Sequence, residues 1–406
     1  MTATGIDIPA VPDLIRMRHE CGARLRAAMV EQGIDVMIVL GGTNVAYAAG
    51  VSWPLGDSGL AHVDRPVAVV VAADEWPHLF MPFREGASPG AHLPADHLHG
   101  AVYLEYDEGV RGFARVLADL VPRGAVVAVD ESTGAMRREH KTLFPGGSPR
   151  DAGPVLSAAK VIKTADELSC IRTALRITER AMADVAGLLR PGMRQIDLSA
   201  RFVRRAFEQG AEANLLEPIW QVMPGRRQDG VWTTHGDLAL PLLPTERELS
   251  RGDVLWTDVS ISYAGYCSDF GRTWVVGRDP APAQREQFRR WRSIVTAVLE
   301  VTKAGASARD LTRAATEANG GTRPWLPHFY LGHGLGTGPA EMPFVGTDLG
   351  EEFDKKLILE PGMVLVLEPI VWADGTGGYR GEEVLVITEE GWSALTDYPY
   401  APYHAD

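Results

Sequence analysis

Residues 252–277 read GDVLWTDVSISYAGYCSDFGRTWVVG, and two acids in this stretch decide the fold. β-Branched and aromatic residues alternate along both flanks of Ala264–Gly265, the pattern of a β-hairpin with its turn at that point. Folding about the turn sets Asp258 nearly opposite Asp269. Opposite positions share a face, with Cβ atoms about 5 Å apart. Two ionised carboxylates that close repel, and mostly apolar strands keep them only with a cation or a shared proton. Taken alone, the pair also fits two solvated strand carboxylates.

A second stretch repeats the arrangement. Residues 362–391 read GMVLVLEPIVWADGTGGYRGEEVLVITEEG, and the ADGTGG turn lies about midway between Glu368 and Glu382, which sets them nearly opposite. Both flanks read as core strands, where an unpaired acid is costly. Strand parity turns Glu383 to the other face and selects Glu382. His333, in GHGLGTGPAEMP at 332–343, is a fifth candidate, although alone it also reads as a turn histidine packed on backbone. Two Asp, two Glu and one His suit two divalent ions, Mn, Fe, Co or Zn, sharing bridging carboxylates.

The rest of the chain bounds the setting. Its 406 residues are 45 % apolar, enough for about two domains. A formal charge of −13 argues against nucleic-acid binding, which needs a basic face. The three cysteines, Cys21, Cys170 and Cys267, are far apart, so neither a disulfide framework nor a thiolate metal site is expected. A reducing, cytoplasmic setting is. The N-terminus lacks a basic start and an apolar run, and the apolar stretches at 35–40 and 66–73 are shorter than a membrane span.

Residues 12–33 have helical spacing. IDVMIVL, PVAVVVAAD and AVVAVD read as buried strands, with GVRGFARVLADLV as a helix between them. This alternation predicts an α/β domain over 1–155. A long helix then follows Thr164 and Glu167, a capping-box pattern. IDLSARFVRRAFEQGA is a second helix, and strands with Gly/Pro-rich turns dominate beyond 215. The catalytic domain is expected over 156–406, with the boundary near 153–159.

The words GD-V-L-x-x-D, SD-x-x-R-T, GHGLG, LEP and R-x-E at Arg380–Glu382 resemble the pita-bread metallopeptidase family. That family holds methionine and Xaa-Pro aminopeptidases, prolidases and creatinase. Its ligand order Asp, Asp, His, Glu, Glu matches Asp258, Asp269, His333, Glu368 and Glu382. GIDVMIVLGGTNVAYAAG, with Asn44 and Tyr47, looks like the N-terminal domain of the creatinase and Xaa-Pro aminopeptidase branch. VIKTADELSCIR looks like its interdomain junction. The resemblance implies an α/β N-terminal domain and an α+β pita-bread catalytic domain. It also implies a homodimer, two divalent ions and hydrolysis by an activated water. Glu368 is the implied proton shuttle, with His333 and Arg380 beside it as catalytic candidates.

The chain departs from the family at three histidine positions that hold the peptide in the peptidases. Seventeen residues before Asp258 stands Pro241, four before His333 stands Phe329, and seven after it stands Ala340. A non-standard small substrate is therefore expected, with His235, Trp232, His328, Phe329 and Ala340 as candidate substrate-contacting positions. An ordinary Xaa-Pro peptidase that uses His235 or His328 instead is the alternative reading. Trp232, Phe329, Tyr330 and Trp372 also form a candidate aromatic pocket, or plain core. Relatives open small guanidino compounds, cyclic amidines or, as a lyase, dimethylsulfoniopropionate. A lyase acting on a small zwitterion is thus a second hypothesis, and a metal-binding homologue without catalysis a third. His92, His97 and His99 read as a solvated loop. The resemblance also makes that loop, and Trp53, candidates to lend a side chain to a dimer partner's active site.

Overall fold

The computed structural model describes residues 6–51, 65–81, 93–215, 219–223, 245–373 and 377–403. Two compact units are present, Pro9–Glu167 and, apart from the N-terminal end, Leu168–Asp406.

The first unit begins with α1 (Leu14–Glu31), whose N-terminus is capped by the Asp13 carboxylate accepting from the amides of Ile15 and Arg16. Then come β1 (Val36–Val39), α2 (Gly42–Ala49), β2 (Val67–Val71), β3 (His78–Phe80), β4 (Leu98–His99), α3 (Asp107–Leu120) and β5 (Val127–Val129). Two short helices, α4 (Gly134–Arg138) and α5 (His140–Leu143), lead to β6 (Arg150–Asp151) and α6 (Gly153–Lys160). The strands form one mixed sheet in the order β4-β3-β2-β1-β5-β6. β1 pairs parallel with β5 and antiparallel with β2. Both central strands are buried on both faces, which explains their unbroken Val, Ile and Met runs. Val36, Ile38, Val67 and Val69 share a core with Phe113 and Leu117 of α3.

Helix α6 packs on α1, and the Tyr47 hydroxyl donates to the Ala159 carbonyl at 2.8 Å. The contacts of α6 therefore place it in the first unit. The division falls at Glu167/Leu168, later in the chain than the 155/156 division read from the sequence.

The division lies within α7 (Ala165–Ala186), which opens with the expected capping box. The Thr164 amide donates to Glu167 Oε2 at 2.7 Å, and the Glu167 amide donates to Thr164 Oγ1 at 3.2 Å. The second unit continues with α8 (Gln195–Glu208), β7 (Ala213–Asn214), β8 (Ile219–Val222), β9 (Val254–Val259), β10 (Ile261–Tyr263), β11 (Tyr266–Cys267) and β12 (Phe270–Val275). Two helices follow, α9 (Pro282–Val301) and α10 (Ala308–Ala318). The chain then runs through β13 (Gly332–Gly334), β14 (Glu341–Val345) and α11 (Glu351–Lys356). It closes with β15 (Val364–Leu367), β16 (Ile370–Ala373), β17 (Gly377–Arg380), β18 (Glu383–Ile387) and β19 (Trp392–Ala394).

Among the described residues the second unit has four sheets: β12-β9-β8, β11-β10-β7, β14-β13-β15-β18-β19 and β16-β17. Helix α9 lies against β16 and β17, where the Trp291 indole donates to the Pro369 carbonyl at 2.8 Å. The α/β unit followed by an α+β unit is the class expected from the sequence.

Candidate metal centre

The first pair of acids comes from one hairpin. Ala264 and Gly265 both have positive φ, 52° and 80°, which a two-residue type I′ turn requires. The turn sets the register through Tyr263↔Tyr266 to Val259↔Phe270 and Asp258↔Gly271. Asp258 thus faces Gly271, and Asp269 lies just before β12. The acids sit diagonally, two residues out of direct opposition. Gly271 leaves the room between them. A Cβ there would come within 2.5 Å of the Thr257 carbonyl oxygen and 2.9 Å of Glu382 Oε1.

The second pair comes from a hairpin that splits. β15 pairs with β18 through Leu367↔Glu383, and β16 pairs with β17 through Ile370↔Arg380. Both ladders keep one register, so Glu368 and Glu382 face each other in the gap between them. Their backbone amides turn elsewhere. That of Glu368 donates to the Leu331 carbonyl at 3.0 Å and that of Glu382 to the Gly271 carbonyl at 3.1 Å. Pro369 has no amide proton to give. The ladder opens where the acids sit, and the second hairpin is thereby tied to the first.

His333 is on β13, between Val366 of β15 and Phe344 of β14. Its Nδ1 lies 2.8 Å from the Gly334 carbonyl, which can only accept, so Nδ1 carries the proton and Nε2 is the ligand-competent nitrogen. Nε2 stands 3.1 Å from Asp269 Oδ2 and 3.4 Å from Glu368 Oε1. The neighbouring glycines permit close strand approach, since a Cβ at Gly334 would meet the Met342 carbonyl oxygen at 2.1 Å.

All five residues gather in one place, around a single fixed cation. Nη2 of Arg380 lies 2.6 Å from Glu368, 2.8 Å from Asp258 and 3.4 Å from Glu382. The guanidinium rests over the Trp256 ring at 4.9 Å. One guanidinium does not balance four carboxylates. Burial pushes the Asp258 carboxyl up to about 7, against the pull of Arg380 and with repulsion from Asp269 and Glu368. Burial also raises Asp269, which His333 only partly offsets. Burial and the charges of Asp258 and Asp269 hold Glu382 well above the usual carboxylate range. For Glu368 burial is outweighed by Arg380 and His333, so it lies below that range. Burial disfavours the His333 imidazolium, yet Asp269 and Glu368 hold its pKa well above the ordinary value.

Two observations fit this set to divalent cations. Oδ1 of Asp258 and Oε2 of Glu382 are buried without a hydrogen-bond partner, although buried carboxylate oxygens are normally satisfied. Carboxylate oxygens of Asp258, Asp269 and Glu382 lie within 4.8 Å of one another. Oxygen donors with one imidazole are the ligands that Mn, Fe, Co and Zn accept.

The surrounding side chains are placed as follows. The Tyr330 ring meets the His333 ring edge-on at 5.0 Å and stacks on Phe329 at 4.4 Å. Burial and the charges of Glu368, Asp269 and Asp258 raise the Tyr330 phenol. His328 adopts φ 62°. Its side chain is 92 % exposed and pairs with Asp348 at 2.7 Å, not with any of the four acids or the His333 imidazole. Ala340 is exposed. Trp372 packs beside Ile219, Met223, Val254 and Trp256. His97 stacks on His78 at 4.1 Å, and His99 Nε2 is 3.0 Å from His78 Nδ1. Trp53, His92, Trp232, His235 and Pro241 lie outside the described residues.

The sequence reading includes one structural residue only as part of the SD-x-x-R-T word and gives it no role. Arg272 of β12 is 2 % exposed and lies between the rings of Phe270 and Tyr400, at 4.3 and 4.9 Å. It donates to the Glu382 carbonyl and, at 3.4 Å, to Glu383 Oε1. A cation in an otherwise apolar strand was the available signal.

Residues 169–389 match the model of metallopeptidase family M24, and residues 23–162 that of the creatinase/prolidase N-terminal domain. A probable dipeptidase PepE of Mycobacterium tuberculosis is 25 % identical over 379 residues, 92 % of this chain and 93 % of that protein. A Xaa-Pro dipeptidase of Pyrococcus furiosus is 29 % identical over 244 residues, 60 % of this chain and 65 % of that one. The X-Pro aminopeptidase structure from Thermotoga maritima has a TM-score of 0.75 at 21 % identity, covering 94 % of this chain and 99 % of its own. Among the described residues no helix is long and apolar enough to cross a membrane.

Proposed function

Because the chain belongs to metallopeptidase family M24, in its prolidase and Xaa-Pro aminopeptidase branch, it is a metal-dependent hydrolase of pita-bread fold, and we propose that it cleaves a C–N bond in a small peptide- or amide-like substrate. The proposed centre holds two divalent ions on Asp258, Asp269, His333, Glu368 and Glu382. The observation that carries this reading is the pair of buried, partnerless oxygens on Asp258 and Glu382, amid four carboxylates and one guanidinium.

When bound, the ions supply Lewis acidity that lowers the pKa of a water and polarises the scissile carbonyl. Glu368 is the candidate proton shuttle. Its Oε2 is anchored 2.6 Å from Arg380, and its Oε1 faces His333. Anchored in this way, the carboxylate is placed to accept a proton from the attacking water and return it to the leaving nitrogen. Arg380 fixes three carboxylates and offsets part of their charge. Nδ1 of His333, committed to the Gly334 carbonyl, leaves Nε2 facing the acids.

The substrate side of the proposal rests on Phe329 and Ala340. Neither supplies an imidazole to hold a peptide or to donate to a tetrahedral centre, which favours a small substrate outside the Xaa-Pro peptides. Two assays test the reading. Metal analysis of purified protein is expected to give up to two transition-metal ions per chain, and Asp269→Ala to lose them; full occupancy in that variant would sink the ligand assignment. Xaa-Pro dipeptides and tripeptides are expected to turn over poorly. Robust turnover would overturn the substrate inference while leaving the centre intact, and gain of turnover in Ala340→His would support it.

A further inference from the structure

A second concave site lies in the same unit, between α9, the segment after α10 and β16. Its lining includes Arg290, Arg323, Trp325, Leu326, Ile370 and Trp372, around a small space of about 100 Å³. The lining contains two arginines and no acid, in a chain of net charge −13.

Arg290 is held in place by neutral groups. Its Nε donates to Asn319 Oδ1 at 2.7 Å and its Nη2 to the Asn319 carbonyl at 3.3 Å. No carboxylate pairs with it among the described residues. Arg323 is fixed by the Leu326, Phe329 and Gly346 carbonyls and by Asp348. Its Nε is buried without a hydrogen-bond partner, and its guanidinium stacks on Trp325 at 4.8 Å. The Arg290 guanidinium, held only by the neutral groups of Asn319, is organised for an anion, most strongly a carboxylate, whereas Arg323 already shares its charge with Asp348. The indole walls of Trp325 and Trp372, with Leu326 and Ile370, suit a flat or branched apolar body rather than a bare inorganic ion.

We propose that this cavity, whose lining contains none of the five proposed metal ligands, is a binding site for a small organic carboxylate with an apolar body. The site recognises the charge through Arg290 and the body through the two indoles. It stands apart from the hydrolytic reading, because it is tested by binding without turnover.

The test is calorimetric titration of the full chain with phenylacetate, its uncharged amide phenylacetamide, and inorganic phosphate. Each is run on the unaltered protein and on Asp269→Ala, which removes carboxylate binding to the ions as a source of signal. Phenylacetate is expected to bind once per chain in both proteins, and phenylacetamide and phosphate at least about tenfold more weakly. Arg290→Gln, a change at an exposed residue, is expected to weaken phenylacetate about tenfold with an unchanged melting temperature. The proposal is overturned by equal binding of the amide, by tighter binding of phosphate, or by no saturable binding. It is equally overturned by phenylacetate binding that survives Arg290→Gln and disappears with Asp269→Ala.

Discussion

Replacing Gly271 by alanine tests the geometry of the centre without removing any of its charges. The added methyl would lie 2.5 Å from the Thr257 carbonyl oxygen and 2.9 Å from Glu382 Oε1, whereas real Cβ contacts stay above 3.0 Å. The β9–β12 pair must therefore open by at least about half an ångström, and the Glu382 carboxylate must retreat. Overpacking on this scale costs about 1–3 kcal/mol. Displacing a ligand's support typically lowers metal affinity by about 10–100-fold. Equilibrium dialysis against graded Mn²⁺, followed by metal analysis, reads the second effect, and thermal melting of chelated protein reads the first. Gly100→Ala is the matched control, with nothing within 4 Å of its added carbon and an expected change within about 0.5 kcal/mol. Unaltered metal affinity in Gly271→Ala would refute the placement of Glu382 among the ligands.

Arg380→Met is expected to leave Asp258, Glu368 and Glu382 without their shared cation and to cost the metal-free protein about 3–5 kcal/mol. Added divalent metal should restore part of that in a melting curve, and an unchanged melting temperature would count against the network. Metal-free protein should lose stability as pH rises from about 4 through 7. The folded pKa values of Asp258, Asp269, Glu382 and His333 are all raised. The folded state therefore holds more protons than the unfolded one, and its advantage fades as those protons leave. Opposite-sign behaviour in chelator-treated melts would contradict the cluster's charge balance. His328→Ala should leave metal content and turnover unchanged, given its exposure and its pairing with Asp348; a tenfold fall in turnover would give His328 the peptide-handling part.

The acids were legible because each pair brackets a turn whose residues announce it. For Glu368 and Glu382 the midpoint of the acids and the midpoint of the turn agree to within half a residue, so near opposition follows from counting. For Asp258 and Asp269 they differ, because the left-handed pair Ala264–Gly265 fixes the register one step off, and the acids become diagonal. The split of the second hairpin was not legible. It depends on where two backbone amides find acceptors, at Leu331 and Gly271, and those lie in distant sequence. The contact-based division falls later than the sequence boundary for a similar reason, since α6 joins the first unit by its packing on α1 rather than by any break in composition. The cavity of Arg290 and Arg323 is likewise a tertiary product of three separated segments.

Glu382 and Glu383 are consecutive and carry the same side chain, so a one-residue slip of β18 would offer the centre an equally good carboxylate while turning every other residue of the strand inside out. Chemical identity cannot guard against that error, but the partners of the second glutamate can. Glu383 is held at 2.6 Å by the Tyr400 hydroxyl and at 3.4 Å by Arg272, the same arginine that grips the Glu382 carbonyl. The pair works as a key with one correct orientation. Arg272 and Tyr400 proofread the strand by taking the carboxylate that must stay out, and in doing so they deliver the one that must go in.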